Sequence, residues 1–178
     1  MRSLLGWVFR ITPSIVLLGS LSLFAQNNPA ERNATQQEIT GNWQLLPLPD
    51  SLEPKEFKSN PWPATCQWYS YSSAGSLKSI DTTNQPCRPL SSKQLDEALT
   101  AVPAIVSWKY DLSPVYQKAL IIISRSDVQH YAEYWMPHIV TNTFSKDGVE
   151  FREGDLLLYL LNMQEHKIMW IRHLRRMT

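Results

Sequence analysis

The most restrictive feature of the sequence is a series of short apolar segments, each of strand length, along the second half of the chain. These segments occupy 106–110, 119–123, 139–144, 149–152, 156–161 and 168–174. Val106, Trp108 and Tyr110 alternate with polar residues, which is typical of a strand with one buried face. Asp147-Gly148 is a common hairpin turn because both residues tolerate the left-handed backbone. Short strands joined by tight turns favour an antiparallel sheet.

The first half of the chain is less regular. The aromatic run Cys66–Tyr71 is followed by a turn and a returning segment at 77–80, and the pair predicts a hairpin. Serines at 91–92 can cap a short helix that continues through Ala101. The segment 128–135 has apolar residues at helical spacing but side chains that also suit a strand, so both interpretations stay open.

These elements predict a mainly β fold, an antiparallel barrel or sandwich with a short mid-chain helix. The 178 residues fit one domain with tails. We predict an export signal at 1–25, a flexible polar leader at 26–38 and a single β-rich domain at 39–178.

The N-terminal segment has the three parts of an export signal. Arg2 and Arg10 provide positive charge, an apolar run follows at 11–24, and Ala25 offers a small residue for the peptidase. We therefore expect an exported protein, periplasmic or secreted, that begins near Gln26. The alternative is an uncleaved N-terminal anchor, although the apolar run is shorter than the ~20 residues that a spanning helix needs.

The chain has two cysteines, Cys66 and Cys87, both in the part expected to be exported. Because export leads to oxidising compartments, an even number of cysteines favours a disulfide between them. No Cys-x-x-Cys pair occurs in the sequence, so a redox or metal role has little support.

The net charge of the chain is close to zero, with 17 basic residues against 16 acidic ones. Such a chain has no overall positive field to hold phosphates, which argues against nucleic acid as a partner. Arg172, Arg175 and Arg176 form a basic C-terminal tip. This tip could make weak contact with anionic lipid head groups, or it could be a solvated sheet edge that resists aggregation.

Two features at opposite ends of the predicted domain resemble the lipocalin (calycin) family. Gly41 and Trp43 match the Gly-x-Trp that opens the first strand of that family, and the last predicted strand carries arginines. In lipocalins, an arginine of the final strand packs over this tryptophan and closes one end of an up-and-down barrel. The resemblance therefore favours a lipocalin-like up-and-down barrel and implies that Gly41, Trp43 and one of these arginines close it.

Side-chain alternation selects Arg172 for this closing role. Ile168, Trp170, Arg172 and Leu174 share one face of the last strand, and this face has three apolar members. It is therefore the better candidate for the inward face, and Arg172 is predicted to lie over Trp43.

The resemblance also implies an interior cavity for a small hydrophobic ligand, bordered by aromatic side chains. The candidates for lining it are Trp68, Trp108, Tyr110 and Trp135. The alternative for each of them is simple core packing, because large aromatic residues dominate small cores.

Motifs for catalysis, cofactors or metals are not found in the sequence. It has no nucleophile elbow, phosphate loop or dinucleotide glycine pattern. The histidines lack the spacing of metal ligands; they are His130, His138, His166 and His173. We therefore assign no catalytic residue, cofactor or metal ligand, and the sequence does not argue for an enzyme.

Three functions of different classes remain. The first is an exported lipocalin-like module that binds a small hydrophobic molecule. The second is a non-enzymatic accessory protein that packs against an envelope or exported partner through exposed aromatics such as Trp62, Tyr134 and Trp135. The third is an enzyme whose site is assembled from residues far apart in sequence.

Overall fold

The computed structural model describes residues 29–52, 66–82, 87, 90–112, 120–126, 132–165 and 167–177. The predicted export signal lies outside these residues. The strands and helices, in chain order, are β1 (Glu31–Asn33), α1 (Gln36–Ile39), β2 (Gly41–Leu46), β3 (Cys66–Tyr71), β4 (Ser76–Thr82), α2 (Ser92–Ala101), β5 (Val106–Leu112), β6 (Leu120–Ser126), β7 (Ala132–Val140), β8 (Phe144–Lys146), β9 (Val149–Phe151), β10 (Leu156–Asn162) and β11 (Lys167–Arg176).

Eight of the strands form a closed antiparallel barrel. Strands β2 to β7 pair in chain order, β10 and β11 follow β7, and β11 pairs with β2 to close the ring. The closing register places Arg176 opposite Trp43 and His173 opposite Leu46. The prediction of a mainly β, up-and-down barrel with a mid-chain helix is confirmed.

Strand β10 shows how the two faces of the barrel wall are used. Leu156, Leu158 and Leu160 point into the barrel and belong to the interior cluster. Leu157 and Tyr159 point outward, yet they are also buried because other elements cover this part of the outer face. A strand buried on both faces becomes a continuous apolar run, which is the pattern at 156–161.

Helix α2 covers the outer face of β3. Its capping serine, Ser91, accepts a hydrogen bond from the backbone N–H of Gln94 at 3.3 Å. Leu95 and Leu99 are buried against Trp68. The disulfide between Cys66 and Cys87, with a Cα–Cα distance of 5.4 Å, lies in the same cluster.

The hairpin of β8 and β9 covers part of the outer face on the other side. Its turn contains Asp147 and Gly148, both with positive φ (49° and 79°), as the Asp-Gly pair predicts. Phe144 stacks on Phe151 with ring centroids 4.7 Å apart. Phe151 also packs against His173 at 4.6 Å, which holds the hairpin against β11.

The prediction of a flexible leader at 26–38 is corrected for residues 31–38. Glu31–Asn33 form β1, which pairs with the C-terminal half of β7 beside β6. Gln36–Ile39 form a short helix whose cap, Thr35, exchanges hydrogen bonds with Glu38 in a capping box. The polar side chains of this segment bond to one another and to the barrel. Polar composition alone therefore did not distinguish this ordered segment from a flexible one.

The segment that the sequence left open between helix and strand is resolved in part. Ala132–Val140 is strand β7, which lies between β6 and β10 in the barrel wall. The β-branched and aromatic side chains thus outweigh the helical spacing. Residues 128–131 lie outside the described part of the chain.

Candidate functional site

One end of the barrel is closed around Trp43. This side chain is fully buried, and its indole N–H donates a hydrogen bond to the carbonyl of Ile39 at 2.7 Å. The guanidinium of Arg176 lies over the ring, 4.2 Å from its centroid. Arg176 also donates hydrogen bonds to the carbonyls of Thr40, at 3.0 Å, and Glu38. Helix α1 is therefore fixed across this end of the barrel.

The arginine over Trp43 is Arg176 and not Arg172, which corrects the prediction. Trp170, Arg172 and Leu174 share the inward face as predicted, but Ile168 packs on the outer face because a β-bulge interrupts the pairing of β10 with β11. The predicted position along β11 was wrong, because it depends on the register between β11 and β2. In this register Arg176 is opposite Trp43.

Gly41 allows this close approach, and replacing it tests the contact. The backbone of Gly41 has φ +134°, and an added Cβ would lie 2.5 Å from Nη1 of Arg176. We expect Gly41→Ala to lower the free energy of unfolding by about 1–3 kcal/mol through strain and displacement of the guanidinium. Urea denaturation measures this change.

Gly148→Ala is the matched control, because Gly148 also has positive φ (+79°) but an added Cβ meets nothing within 4 Å. Combining Gly41→Ala with Arg176→Met should give less than the sum of the two losses. Additive losses would contradict the close contact.

The barrel interior is lined mainly by aromatic and aliphatic side chains. Trp108 and Trp135 are among its buried members, and Tyr110 packs against them partly buried. The ring of Tyr71 meets Trp108 edge to face at 5.5 Å, and the indole N–H of Trp108 donates to the carbonyl of Ser72 at 3.1 Å. Three of the four predicted lining residues therefore point inward.

Trp68 is the exception, and its assignment as a lining residue is corrected. On β3 the inward positions are Gln67, Tyr69 and Tyr71, while Trp68 points outward beneath α2. Aromatic residues occur on both faces of this strand because the helix covers its outer side. Alternation could not reveal this without knowledge of where the helix packs.

Four polar residues are placed on the inward face of the barrel wall: Tyr69, Ser124, Glu133 and Arg172. Arg172 is 7% exposed, and its guanidinium lies 4.3 Å from the centroid of the Trp135 ring and 5.2 Å from that of Tyr69. Glu133, on the same face of β7 as Trp135, accepts a hydrogen bond from the Trp135 indole N–H at 2.9 Å. A cation stacked between aromatic rings is thus held inside the barrel.

Two hydroxyl groups at inward positions have no hydrogen-bond partner within the described part of the chain. They belong to Tyr69, 3% exposed, and Ser124, 4% exposed. Burial raises the pKa of Tyr69 to about 12, although the charge of Arg172 opposes this rise. The Tyr69 hydroxyl is therefore a protonated donor at any physiological pH.

The outer face carries a buried ionic cluster that sequence reasoning did not predict. Asp155 accepts hydrogen bonds from His173 Nε2 at 2.7 Å and from Arg175 Nε and Nη2 at 2.9 and 2.8 Å. Burial raises the pKa of Asp155, but these bonds and one from the Arg152 backbone N–H outweigh it and lower the pKa to about 2. Asp155 ends the Glu-Gly-Asp turn before β10, and although acidic side chains in turns are commonly solvated, this one is buried.

A second buried carboxylate holds β1 to the barrel. Glu31 accepts a hydrogen bond from the Tyr159 hydroxyl at 2.7 Å and lies 3.1 Å from Nδ1 of His138. Burial, followed by the nearby charge of Glu31, raises the pKa of Tyr159 well above its usual range. The Glu31–His138 pair fixes β1 to β7, and the Asp155–His173 pair joins the turn before β10 to β11.

The predicted basic tip is dispersed in the structure. Arg172 is inside the barrel, Arg175 points outward to Asp155, and Arg176 covers Trp43. The three guanidinium groups therefore do not share one surface.

Among the residues that the structure describes, no group of three or more histidine, cysteine, aspartate or glutamate side chains is placed to hold a metal ion. His130 and His166 lie outside those residues. No family model, curated protein or solved structure matches the chain.

Proposed function

We propose that this protein is an exported, lipocalin-like module that holds a small hydrophobic molecule inside its barrel. The observation that carries the proposal is a closed up-and-down barrel, sealed at one end by α1 and Arg176 and lined by aromatic side chains. An eight-stranded barrel has an interior that side chains can fill or that can hold one small ligand. An apolar lining with few polar groups suits a hydrophobic molecule.

The closed end supports the lipocalin part of the proposal. Gly41 and Trp43 begin the first barrel strand, and an arginine of the last strand, Arg176, lies over the tryptophan ring. These are the features in which the chain resembles that family. The barrel itself is compatible with other families of the same architecture.

The export part rests on the signal pattern at 1–25 and on the Cys66–Cys87 disulfide, which suits an oxidising compartment. Neither α1 nor α2, the helices in the described part of the chain, has the length of a membrane span.

An accessory role through exposed aromatics has weaker support. Trp135 is inside the barrel and Tyr134 is partly buried against the outer cluster, while Trp62 lies outside the described residues. An enzyme built on the Asp155–His173 pair is also less well supported, because His173 is fully buried and Arg175 already occupies the carboxylate.

Native mass spectrometry of the full chain, expressed and purified from its own host, tests the proposal. We expect the mature protein to lack about 25 residues and to carry a small molecule that solvent extraction removes. The stripped protein should bind N-phenyl-1-naphthylamine, a neutral fluorescent hydrophobe. A bare polypeptide mass together with no binding of this probe would overturn the proposal.

A matched pair of variants locates the bound probe. Ile122→Phe adds bulk inside the barrel, where Ile122 is fully buried, and should weaken probe binding. Ile105→Phe adds the same bulk at a position that is 43% exposed and should leave binding unchanged. Equal effects of the two variants would place the probe outside the barrel.

A further inference from the structure

Among the joints that the described strands form in the barrel wall, the joint between β4 and β5 is the shortest. It holds two residue pairs, of which Leu77 with Val106 is the last, whereas the next joint, between β5 and β6, holds seven. Strand β4 leads away from the closed end and continues as far as Thr82. No described strand pairs with this second half of β4 on the side of β5. The wall therefore has a gap there.

Two side chains of β4 that face the interior are exposed at this gap. Ser79 and Asp81 follow the interior residue Leu77 at every second position, so they share its inward face. Ile80, between them, packs with α2 on the outer face. Ser79 is exposed although Tyr69, its partner on β3, is only 3% exposed. Solvent therefore reaches the inward face of the wall from the side of β5.

The other border of the gap is the connection from α2 to β5, which is apolar. Residues 101–106 read Ala-Val-Pro-Ala-Ile-Val and carry no polar side chain. Pro103–Ile105 are exposed, and Ile105 is 43% exposed. Lys78 of β4 donates a hydrogen bond through Nζ to the carbonyl of Leu99 at 3.0 Å, which holds the end of α2 beside β4. The connection is therefore an uncharged rim along the gap.

We propose that the small hydrophobic molecule enters and leaves the barrel through the gap between β4 and β5, over the apolar connection 101–106. This inference rests on the proposed function. An uncharged rim suits the passage because it holds no tightly bound water that an apolar molecule would have to displace. Movement of the two borders also breaks no hydrogen bond between strands, since no ladder joins them beyond Leu77 and Val106.

Other routes through the wall fit the structure less well. The end at Trp43 is closed by α1 and Arg176. Every other joint of the ring holds at least four residue pairs, so passage between those strands would break several backbone hydrogen bonds. The rest of the open end is the remaining route. Its far side is the turn between β10 and β11, directly across the ring from the gap.

Stopped-flow binding of N-phenyl-1-naphthylamine to the stripped protein tests the gap by adding bulk at its border. We expect Ser79→Phe to slow association and dissociation alike, each about tenfold, and to change the equilibrium affinity less than about twofold, because it raises the barrier to passage. Gln164→Phe is the matched control. Gln164 is exposed in the turn between β10 and β11, and this variant should change neither rate.

Ile105→Asp tests the apolar rim without adding bulk. A hydrophobic probe that passes over residue 105 would have to displace water from the new carboxylate, so both rates should fall about threefold at an unchanged affinity. Gln164→Asp places the same charge on the opposite rim and should change neither rate. Because the Ile105 side chain is exposed, this variant should fold. Should Ser79→Phe fail to fold, as shown by circular dichroism, the two aspartate variants decide the matter.

The outcomes separate this inference from the proposed function. Equal slowing by the variants at the gap and at Gln164 would place the entrance at the open end as a whole and overturn the gap. Unchanged rates in both Ser79→Phe and Ile105→Asp overturn it as well, and so does a weaker affinity with an unchanged association rate. Each of these results leaves a hydrophobic binding module. Failure of the wild-type protein to bind the probe overturns both.

Discussion

Replacing Trp43 with alanine should lower the free energy of unfolding by about 3–5 kcal/mol, the range for a buried large aromatic side chain. Trp43 is fully buried where the first barrel strand meets the last. Its removal would leave a cavity beneath Arg176 and would take away the indole donor of the Ile39 carbonyl. Urea or guanidinium denaturation, followed by far-ultraviolet circular dichroism, measures the loss.

Trp43→Phe is the control that separates volume from hydrogen bonding. It keeps an aromatic ring beneath Arg176 but lacks the N–H that reaches Ile39, so we expect a smaller loss of about 1–2 kcal/mol. A loss below about 1 kcal/mol in Trp43→Ala would contradict the role of this residue in closing the barrel.

Asp155→Asn should have an effect of similar size, about 3–5 kcal/mol, because it breaks a buried ionic cluster and leaves charged or polar partners behind. The side chain of Asp155 is 3% exposed and bonds His173 on one side and Arg175 on the other. Thermal and chemical unfolding of the variant measure the loss. Glu150→Gln, on a side chain that is 51% exposed, is the control and should change stability by less than about 0.5 kcal/mol.

The same cluster predicts how stability depends on pH. The pKa of Asp155 falls from an ordinary 3.8 to about 2 on folding, so the ionised form stabilises the fold. Its contribution is complete above about pH 4 and is lost as the pH falls through about 2. A hydrogen bond from Arg32 is the main cause that lowers the pKa of Glu38 to about 2. Protonation of Glu38 therefore also lowers the free energy of unfolding as the pH falls from about 4 to about 2.

Asp155→Asn should therefore retain only part of the acid sensitivity of the wild type between pH 4 and 2. Unfolding free energies measured across this range compare the two proteins. An identical slope would show that Asp155 is not ionised in the cluster.

Local patterns in the sequence were sufficient for most of the barrel wall. Alternation identified β5, apolar runs identified β10 and β11, and Asp147-Gly148 located the outer hairpin. The serine cap located α2. These features depend on neighbouring residues and can therefore be read without knowledge of the tertiary structure.

The features that were missed depend on long-range geometry, with one exception. Which arginine covers Trp43 follows from a register between distant strands, and the outward position of Trp68 follows from the packing of α2. The exception is α1, because Thr35 and Glu38 have the spacing of a capping box and could have predicted a helix start in the polar leader.

The closure of the barrel between β2 and β11 also has a consequence for the order of events in synthesis. The partners Trp43 and Arg176 lie on the first and the last strand of the barrel, so Arg176 is synthesised after every other strand of the ring. Until β11 emerges, β2 and β10 both present unpaired edges, so the ring cannot close before β11 has been synthesised. A chain that must pass through a membrane channel unfolded would benefit from this delay, since closure of the ring depends on the ten residues of β11.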